Sequence, residues 1–218
     1  MMTSTNVFKS PKVSLIVAAL LPELGIGNKG KLPWAIKQEM KYFRKITSKT
    51  AHEEKRNAVI MGRKTYLSIP KRFRPLKDRI NIVLSRDVEK LKLEIGAELI
   101  DNEDNLRLSD SLSSVIESLQ DSDKIEEIFI IGGAEVYNQL IKDHHDLIDA
   151  IYLTEITYKD KLEMDSYFNL DKDLWIKCDN EKLKKVLESK GLHEEFEVTG
   201  NIEDEFKFDF TLWEKKIV

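Results

Sequence analysis

The chain has 218 residues, of which 41% are hydrophobic and 34% are charged, and its formal net charge is −4. This composition is typical of a soluble globular protein with one sizeable domain, and it predicts no general affinity for nucleic acid or membrane surfaces. Cys178 is the one cysteine, so no intrachain disulfide can form, which favours a reducing compartment and predicts a cytoplasmic location. Residues 1–12 contain no apolar core of signal-peptide length, and no apolar run is long enough to predict a membrane span.

Apolar runs alternate with helical patterns along most of the chain. The runs predict buried strands at residues 13–20, 58–61, 80–84, 128–131 and 151–156. The helical patterns cover residues 35–48, 64–69, 111–120 and 134–142. Such alternation is typical of a single α/β domain built on a mostly parallel sheet with flanking helices.

The last part of the chain has a different pattern. Residues 206–213 alternate between apolar and polar side chains, which predicts an antiparallel edge strand on the parallel sheet. Before them, residues 179–190 are typical of an exposed, charged helix, and residues 191–205 of an acidic loop. We therefore predict a short N-terminal extension over residues 1–12 and one domain over residues 13–218.

Glu39 lies on the apolar side of the first predicted helix. At 100° per residue it shares that side with Ile36 and Phe43, while mostly basic residues occupy the opposite side. Burying a carboxylate without a partner is costly. Either the helix is rotated so that Glu39 reaches water, or the carboxylate faces a cleft and receives a polar ligand. In the second case we expect burial to raise the pKa of Glu39.

The glycines of residues 25–30 match the dinucleotide-binding glycine pattern after a strand. That fingerprint requires the glycines to open a helix whose N-terminus holds the pyrophosphate. Here residues 21–24 delay the turn, and Pro33 keeps the chain irregular afterwards. We therefore predict a flexible glycine loop over a site rather than a Rossmann fingerprint.

Three predicted strands end in groups that suit phosphate. Residues 61–65 and residues 131–134 each close a strand and open a helix, which offers free backbone donors to a ligand. Residues 84–86 end a third strand with a hydroxyl and a guanidinium, a suitable pair for an isolated phosphate ester. Because the carboxyl ends of parallel strands meet at one edge of a sheet, these motifs predict a dinucleotide cleft.

Residues 71–79 form the one basic cluster of the chain. The net negative charge of the chain argues against a nucleic-acid-binding patch. The cluster is therefore either a solvated loop or a loop from which a single arginine binds a ligand carboxylate. The histidines show no ligand spacing with Cys178 or with one another, so we predict no metal site.

Taken together, these motifs resemble the dihydrofolate reductase family. The resemblance rests on Leu-Pro-Trp at residues 32–34, on Glu39 and on the three strand-end motifs, in the family's order from about residue 13 to 213. The chain length and its insertions resemble the longer eukaryotic, fungal-like members. The resemblance implies an eight-stranded sheet, a monomer, inhibition by antifolates and NADPH-dependent reduction of 7,8-dihydrofolate to 5,6,7,8-tetrahydrofolate for one-carbon metabolism.

The resemblance implies a substrate site around Glu39. This carboxylate would hydrogen-bond the pterin's amidine-like edge and would act in catalysis with Leu32 and Trp34. Thr154 would support the carboxylate, and Arg79 would bind the carboxylate of the substrate's glutamate tail. The other implied substrate contacts are Ile16, Val17, Ala18, Met40, Phe43, Ile69, Ile131 and Tyr137.

The resemblance also implies an NADPH site along the three strand ends. Arg63, Lys64 and Thr65 would face the pyrophosphate, while Ser85 and Arg86 would take the 2′-phosphate. The other implied cofactor contacts are Ala18, Gly25, Ile26, Gly27, Gly30, Lys31, Gly62, Leu84, Gly132, Gly133, Ala134, Glu135, Val136 and Tyr137.

Two further expectations follow from the resemblance: the Gly132–Gly133 peptide bond would be cis, and the glycine loop would be a mobile lid. The chain also departs from the family pattern at two positions. Tyr66 stands where many members carry tryptophan, and Asp110 stands where some members place a basic residue near the adenine.

Two alternatives remain open. One is another NADPH-dependent reductase of this fold, such as a pyrimidine reductase of riboflavin synthesis; Glu39 and Arg79 together argue against it. The other is a non-catalytic nucleotide-binding module, which would bind the cofactor without turning over a substrate.

Overall fold

The computed structural model describes residues 10–216, and eleven strands of this range form one mixed sheet. The strands are β1 (Lys12–Leu20), β2 (Gly25–Gly27), β3 (Arg56–Gly62), β4 (Arg79–Leu84), β5 (Leu106–Ser109), β6 (Ile125–Ile130), β7 (Ala150–Tyr158), β8 (Ser166–Tyr167), β9 (Trp175–Lys177), β10 (Asn201–Glu203) and β11 (Phe206–Lys215). The helices are α1 (Lys37–Ser48), α2 (Arg63–Ser68), α3 (Val88–Asp101), α4 (Leu112–Gln120), α5 (Ala134–Asp143) and α6 (Asn180–Ser189).

Eight of the strands follow one hydrogen-bonded order, β10-β11-β7-β1-β6-β3-β4-β5. Every neighbouring pair from β7 to β5 is parallel, and β11 runs antiparallel to β7. The predicted α/β domain with a mostly parallel sheet is therefore confirmed. The described sheet exceeds the eight strands that the resemblance implies, because β2, β8 and β9 are short additions beside the main order.

The C-terminal strand β11 is antiparallel as predicted, but it is not the outermost strand. β10 pairs with its first residues and β9 with its last, both on the side opposite β7. Both short strands lie in stretches that carry no clear two-residue alternation. Their backbone groups find partners only because the rest of the chain places β11 beside them.

Helices cover both faces of the sheet and enclose two cores. Buried residues of α4 and α5 pack on one face, and those of α1, α2, α3 and α6 on the other. Within β1, Leu15 and Val17 belong to the first core while Ile16 belongs to the second, as the alternation of side chains along a strand requires. Burial on both faces explains why the sequence of β1 is almost uniformly apolar.

The helix α3 and the strand β5 after it were not predicted. A non-helical residue, Ile95 (φ −120°, ψ 22°), interrupts α3 and breaks its periodicity. Leu93 and Ile100 are 88% and 78% exposed, so apolar residues also occupy the outer side of this helix. Both features weaken the amphipathic pattern of this helix in the sequence.

The charged helix predicted at residues 179–190 is α6, and it buries Leu183 and Leu187. The stretch predicted as an acidic loop is not wholly exposed, because Leu192, Phe196 and Val198 are buried. Of the predicted N-terminal extension, residues 1–9 lie outside the described range, and β1 begins at Lys12. Among the described residues, no helix has the length and apolar character to cross a membrane.

Candidate active site

A cleft of about 1740 Å³ opens at the carboxyl ends of β1, β3, β4 and β6. The ends of β3 and β4 are adjacent, since Gly62 pairs with Leu84, and the Gly62 N–H donates to the Gly132 carbonyl at 2.8 Å beyond the end of β6. The three strand-end motifs therefore meet at one edge, as predicted. The volume exceeds the 300–1,000 Å³ or so of a typical small-ligand pocket, so the cleft can hold two ligands.

Glu39 enters this cleft from the first turn of α1 and is only 5% exposed. Burial raises the pKa of Glu39 to about 7, against the smaller opposing effect of a hydrogen bond with the Thr154 side chain. Thr154 lies on β7 in register with Ala18 of β1, below the cleft wall. Of the two alternatives for Glu39, the buried carboxylate that faces a cleft is confirmed.

Arg79 is a second buried charge on the wall of the same cleft, and it is 4% exposed. Its Nε donates to the Lys77 carbonyl at 2.9 Å, and its Nη1 donates to the Thr47 hydroxyl at 2.7 Å. Both partners are neutral, and burial lowers the pKa of Arg79 to about 10.

Neither Glu39 nor Arg79 has an ion-pair partner among residues 10–216. Burying an unpaired charge costs several kcal/mol or more, so a protein seldom keeps two of them without use. Because both charges line one cleft, they suit a single ligand with donor groups at one end and a carboxylate at the other.

The other arginine of the basic cluster that is well buried has a structural role. Arg74 pairs with Glu98 of α3 at 3.0 Å and donates to the carbonyls of Leu67 and Ile69 at 2.9 and 3.2 Å. Tyr66 adds a 2.7 Å hydrogen bond to the same carboxylate of Glu98. This network holds the end of α2 and leaves Arg79 as the buried arginine available to a ligand carboxylate.

Apolar side chains line the cleft between the two charges. Phe43, Ile69 and Ile131 contribute to its walls. Behind them, the Tyr137 hydroxyl donates to the Ile16 carbonyl at 2.6 Å and is itself buried. A flat, largely apolar ring system fits such walls, while its polar edge would meet Glu39.

Two helices begin at the opposite end of the cleft. α2 follows Gly62 and α5 follows Gly133, and no side chain of the described residues caps either start. A Cβ at Gly133 would lie 3.1 Å from the Thr65 hydroxyl, and one at Gly132, where φ is +108°, would lie 2.9 Å from the Tyr137 ring. The glycines thus allow the close approach of backbone donors that a pyrophosphate requires. The Gly132–Gly133 peptide bond is cis, as predicted.

The end of β4 adds charge to this region in an open setting. The Arg86 side chain is 91% exposed and lies 3.8 Å from Glu135. Ser85 and Arg86 both line the cleft, as does Lys90 from the first turn of α3. An exposed guanidinium beside a hydroxyl and a lysine suits an accessible phosphate ester.

Comparisons with known proteins agree with this geometry. A family model described as dihydrofolate reductase matches residues 12–198. The dihydrofolate reductase of Candida albicans is 40% identical over 208 residues, which cover 94% of this chain and 98% of that protein. The dihydrofolate reductase of Saccharomyces cerevisiae is 38% identical over 92% of this chain and 95% of that protein.

The chain belongs to the dihydrofolate reductase family. A solved structure of Schistosoma mansoni dihydrofolate reductase superimposes with a TM-score of 0.69 at 30% identity and covers 94% of this chain and 98% of its own. Family membership and the fold are therefore established by sequence and by structure.

Nearly all of the site residues that the family resemblance implied line the cleft. The exceptions are Gly25, Trp34, Gly132 and Thr154. Trp34 is 7% exposed, and its Nε1 has no hydrogen-bond partner among the described residues. Gly25 faces Met164 instead, since a Cβ there would lie 2.5 Å from the Met164 Cγ. The roles of all these residues stay predictions.

Several cleft residues were missed by sequence reasoning. At the end that carries Arg86 they are Lys90, Leu112 and Gln139, and Asp110 also lies there. Lys90 lies in the first turn of α3, whose N-cap Asp87 directly follows Arg86, so recognising this helix would have placed Lys90 near the site. Leu112 and Gln139 carry no local signal, because leucine and glutamine are common on helices away from any site.

The glycine loop belongs to a hairpin and does not open a helix, which confirms that residues 25–30 are not a Rossmann fingerprint. Gly25–Gly27 form β2, and Asn28 and Lys31 exchange backbone hydrogen bonds of 2.9 and 3.0 Å. Asp165 accepts the Lys29 N–H at 2.7 Å. The loop covers one side of the cleft, and its mobility stays a prediction. Among the described residues, no group of histidine, cysteine and acidic side chains could hold a metal ion.

Proposed function

We propose that this chain catalyses the NADPH-dependent reduction of 7,8-dihydrofolate to 5,6,7,8-tetrahydrofolate, which supplies one-carbon units for thymidylate and purine synthesis. The observation that carries the proposal is the pair of buried, unpaired charges, Glu39 and Arg79, on the walls of one apolar cleft. Dihydrofolate offers matching groups, with N–H donors on its pterin and carboxylates on its glutamate tail.

Glu39 has the properties that the proton transfer requires. The reaction adds one proton to the pterin nitrogen beside the carbon that is reduced. A carboxyl group with a pKa of about 7 is partly protonated at neutral pH, so Glu39 can hold that proton at its carboxyl oxygen or order a water that carries it. Thr154 fixes the orientation of the carboxylate, and the apolar walls keep bulk water away from it.

The opposite end of the cleft suits NADPH. Residues 62–65 and 132–134 offer backbone donors and cations for the pyrophosphate, and Ser85 with Arg86 offers a site for the 2′-phosphate. The chemistry that bound NADPH supplies is hydride donation to the pterin's imine carbon. We further propose that the protein is a cytoplasmic monomer and that antifolates compete for the pterin end of the cleft.

The decisive experiment mixes the purified chain with NADPH and dihydrofolate and follows the loss of cofactor absorbance, with and without methotrexate. We expect turnover that methotrexate abolishes, with NADPH preferred over NADH. A chain that binds NADPH without turnover would instead be a nucleotide-binding module. Turnover of a pyrimidine substrate but not of dihydrofolate would assign it to the pyrimidine reductases.

A further inference from the structure

The chain between α6 and β11 lies along the outer side of α1, the helix that carries Glu39. We call residues 190–203 the clasp segment. The Lys190 ammonium donates to the Lys49 carbonyl just beyond the end of α1 at 3.3 Å. Glu195 pairs with Lys41 and Lys45 at 3.0 Å each, in the middle and last turn of the helix. The clasp segment therefore contacts both the middle and the C-terminal end of α1.

The aromatic residue of the clasp segment adds a packing contact. The ring of Phe196 meets the Tyr42 ring edge-on, with 5.3 Å between the two centroids. Tyr42 in turn stacks on Phe210 of β11 at 3.8 Å. Tyr42 of α1 is therefore held between the clasp segment and the sheet.

The N-terminus of α1 is capped from this segment and not by its own neighbours. The N-cap residue Ile36 has no side chain that can accept a hydrogen bond. Instead Glu203 of β10 accepts the N–H of Lys37 at 2.8 Å with one carboxylate oxygen and that of Gln38 at 2.9 Å with the other. Three other helices, α3, α4 and α6, carry a local cap from Asp87, Ser111 and Asp179.

The carboxylate of Glu203 is itself firmly placed. β10 pairs with β11 through Glu203 and Phe206, and the Gly200 N–H donates to Asp209 of β11 at 2.7 Å. Asn201 of the same strand accepts the side-chain amide of Gln38 at 3.2 Å. A cap held by a sheet restrains the start of a helix more tightly than one on a flexible loop would.

Glu39 is the next residue after the two that Glu203 caps. Its side chain is oriented by Thr154 of β7, and Thr154 pairs with Phe210 of β11. The backbone turn that carries Glu39 is held by Glu203 of β10, which also pairs with β11. β11 thus pairs with both neighbouring strands that hold Glu39. One is β7, whose Thr154 orients the Glu39 side chain, and the other is β10, whose Glu203 caps the backbone before it.

We propose that Glu203 is a positioning residue of the active site, because its cap sets the first turn of α1 and thereby the place of the Glu39 carboxylate in the cleft. The inference rests on the proposed function, and it assigns a role to the end of the clasp segment. A misplacement of about 1 Å at a reacting group can reduce turnover by a large factor.

The test compares three variants of the full chain: Glu203→Ala, Glu203→Gln and the control Asp179→Ala. Asp179 also caps a helix with its carboxylate, and within residues 10–216 no hydrogen bond or ion pair links it to α1. We expect Glu203→Ala and Asp179→Ala to lower Tm by a similar amount, about 2–4 °C. Only Glu203→Ala should lower kcat and weaken methotrexate, each by about tenfold, with NADPH affinity kept within about twofold.

The kcat and the methotrexate affinity of Glu203→Gln should lie between those of the wild type and of Glu203→Ala, because the amide oxygen still accepts one backbone N–H. If Glu203→Ala does not fold, Glu203→Gln is compared with Asp179→Ala in the same way. Equal losses in the Glu203 and Asp179 variants, or proportional losses of methotrexate and NADPH affinity, would reduce Glu203 to a stability role. A wild type without turnover or methotrexate binding would overturn the proposed function itself, before any variant is compared.

Discussion

The two ends of the cleft differ in whether their charged side chains are buried or exposed. At the end that carries Glu39 and Arg79, both charges are at least nine-tenths buried, unpaired within the described residues and shifted in pKa. At the other end, Arg86 is 91% exposed and lies near Glu135. A ligand at the first end compensates charges that the fold has already desolvated, whereas a ligand at the second end meets charges that water and salt screen.

This difference has a consequence for stability as well as for binding. A buried, unpaired charge costs folding free energy, and the cost is recovered only when a ligand binds. An exposed charge costs almost nothing to keep. Substitutions at the buried end should therefore change binding and stability in opposite directions, while substitutions at the exposed end should change binding alone.

The largest effect is expected from Glu39→Gln. The amide keeps the size of the side chain but loses its charge and its titrating proton, so kcat should fall by about 10²–10³-fold at neutral pH. NADPH affinity should stay near the wild-type value. In the wild type, turnover should decline as pH rises through about 7, where Glu39 loses its proton. Unchanged turnover and pH dependence in the variant would remove Glu39 from the mechanism.

The same substitution should stabilise the protein. The pKa of Glu39 rises from 4.5 to about 7 on folding, so below pH 4.5 the group is neutral in both states and costs nothing extra. Between pH 4.5 and 7 the unfolded chain is ionised at this position while the folded one is still protonated, so the free energy of unfolding falls with pH, by about 3 kcal/mol at most above pH 7. In urea unfolding, we expect the free energy of unfolding of Glu39→Gln to exceed that of the wild type at pH 8 by up to this amount, and to match it near pH 4.5. A variant less stable than the wild type at pH 8 would show that the carboxylate is satisfied in the free protein.

Arg79→Leu should weaken ligands that carry a glutamate tail by about 1.5–3 kcal/mol, the range for a lost charge-assisted hydrogen-bonded pair. Inhibitors without the tail should keep their affinity, as calorimetry can measure. The matched control is Arg56→Leu, which removes an exposed arginine at the start of β3, away from the cleft. Equal losses for both classes of inhibitor would mean that Arg79 is structural.

Arg86→Ala should give the smallest change, a loss of NADPH affinity of about five- to tenfold at low salt that shrinks as salt is added. NADH affinity should not change, because NADH lacks the 2′-phosphate. Fluorescence titration of both cofactors would measure the ratio of NADPH affinity to NADH affinity. Arg107→Ala, which removes an exposed arginine on β5, is the control. A variant that keeps the full NADPH preference would mean that another residue, such as Lys90, binds the 2′-phosphate.

The sequence by itself determined the central strands of the sheet, the strand-end motifs and the unusual position of Glu39. These features are local: apolar runs such as residues 13–20 report burial on both faces, and a carboxylate on the apolar side of a helix stands out by periodicity alone. The family resemblance then assigned ligand roles to Glu39 and Arg79. The helix α3 was not predicted, because its kink at Ile95 and its exposed apolar residues break this periodicity.

Only the tertiary structure decided how the charges are compensated. That Arg74 pairs with Glu98 while Arg79 lacks an ion-pair partner within residues 10–216 depends on where α3 packs, and the two arginines look alike in the sequence. The cap of α1 joins Lys37 to Glu203, 166 residues away, and no local pattern marks it. Burial and long-range hydrogen bonds depend on how the elements pack together, so a sequence pattern can indicate which residues need a partner but not which partner the fold provides.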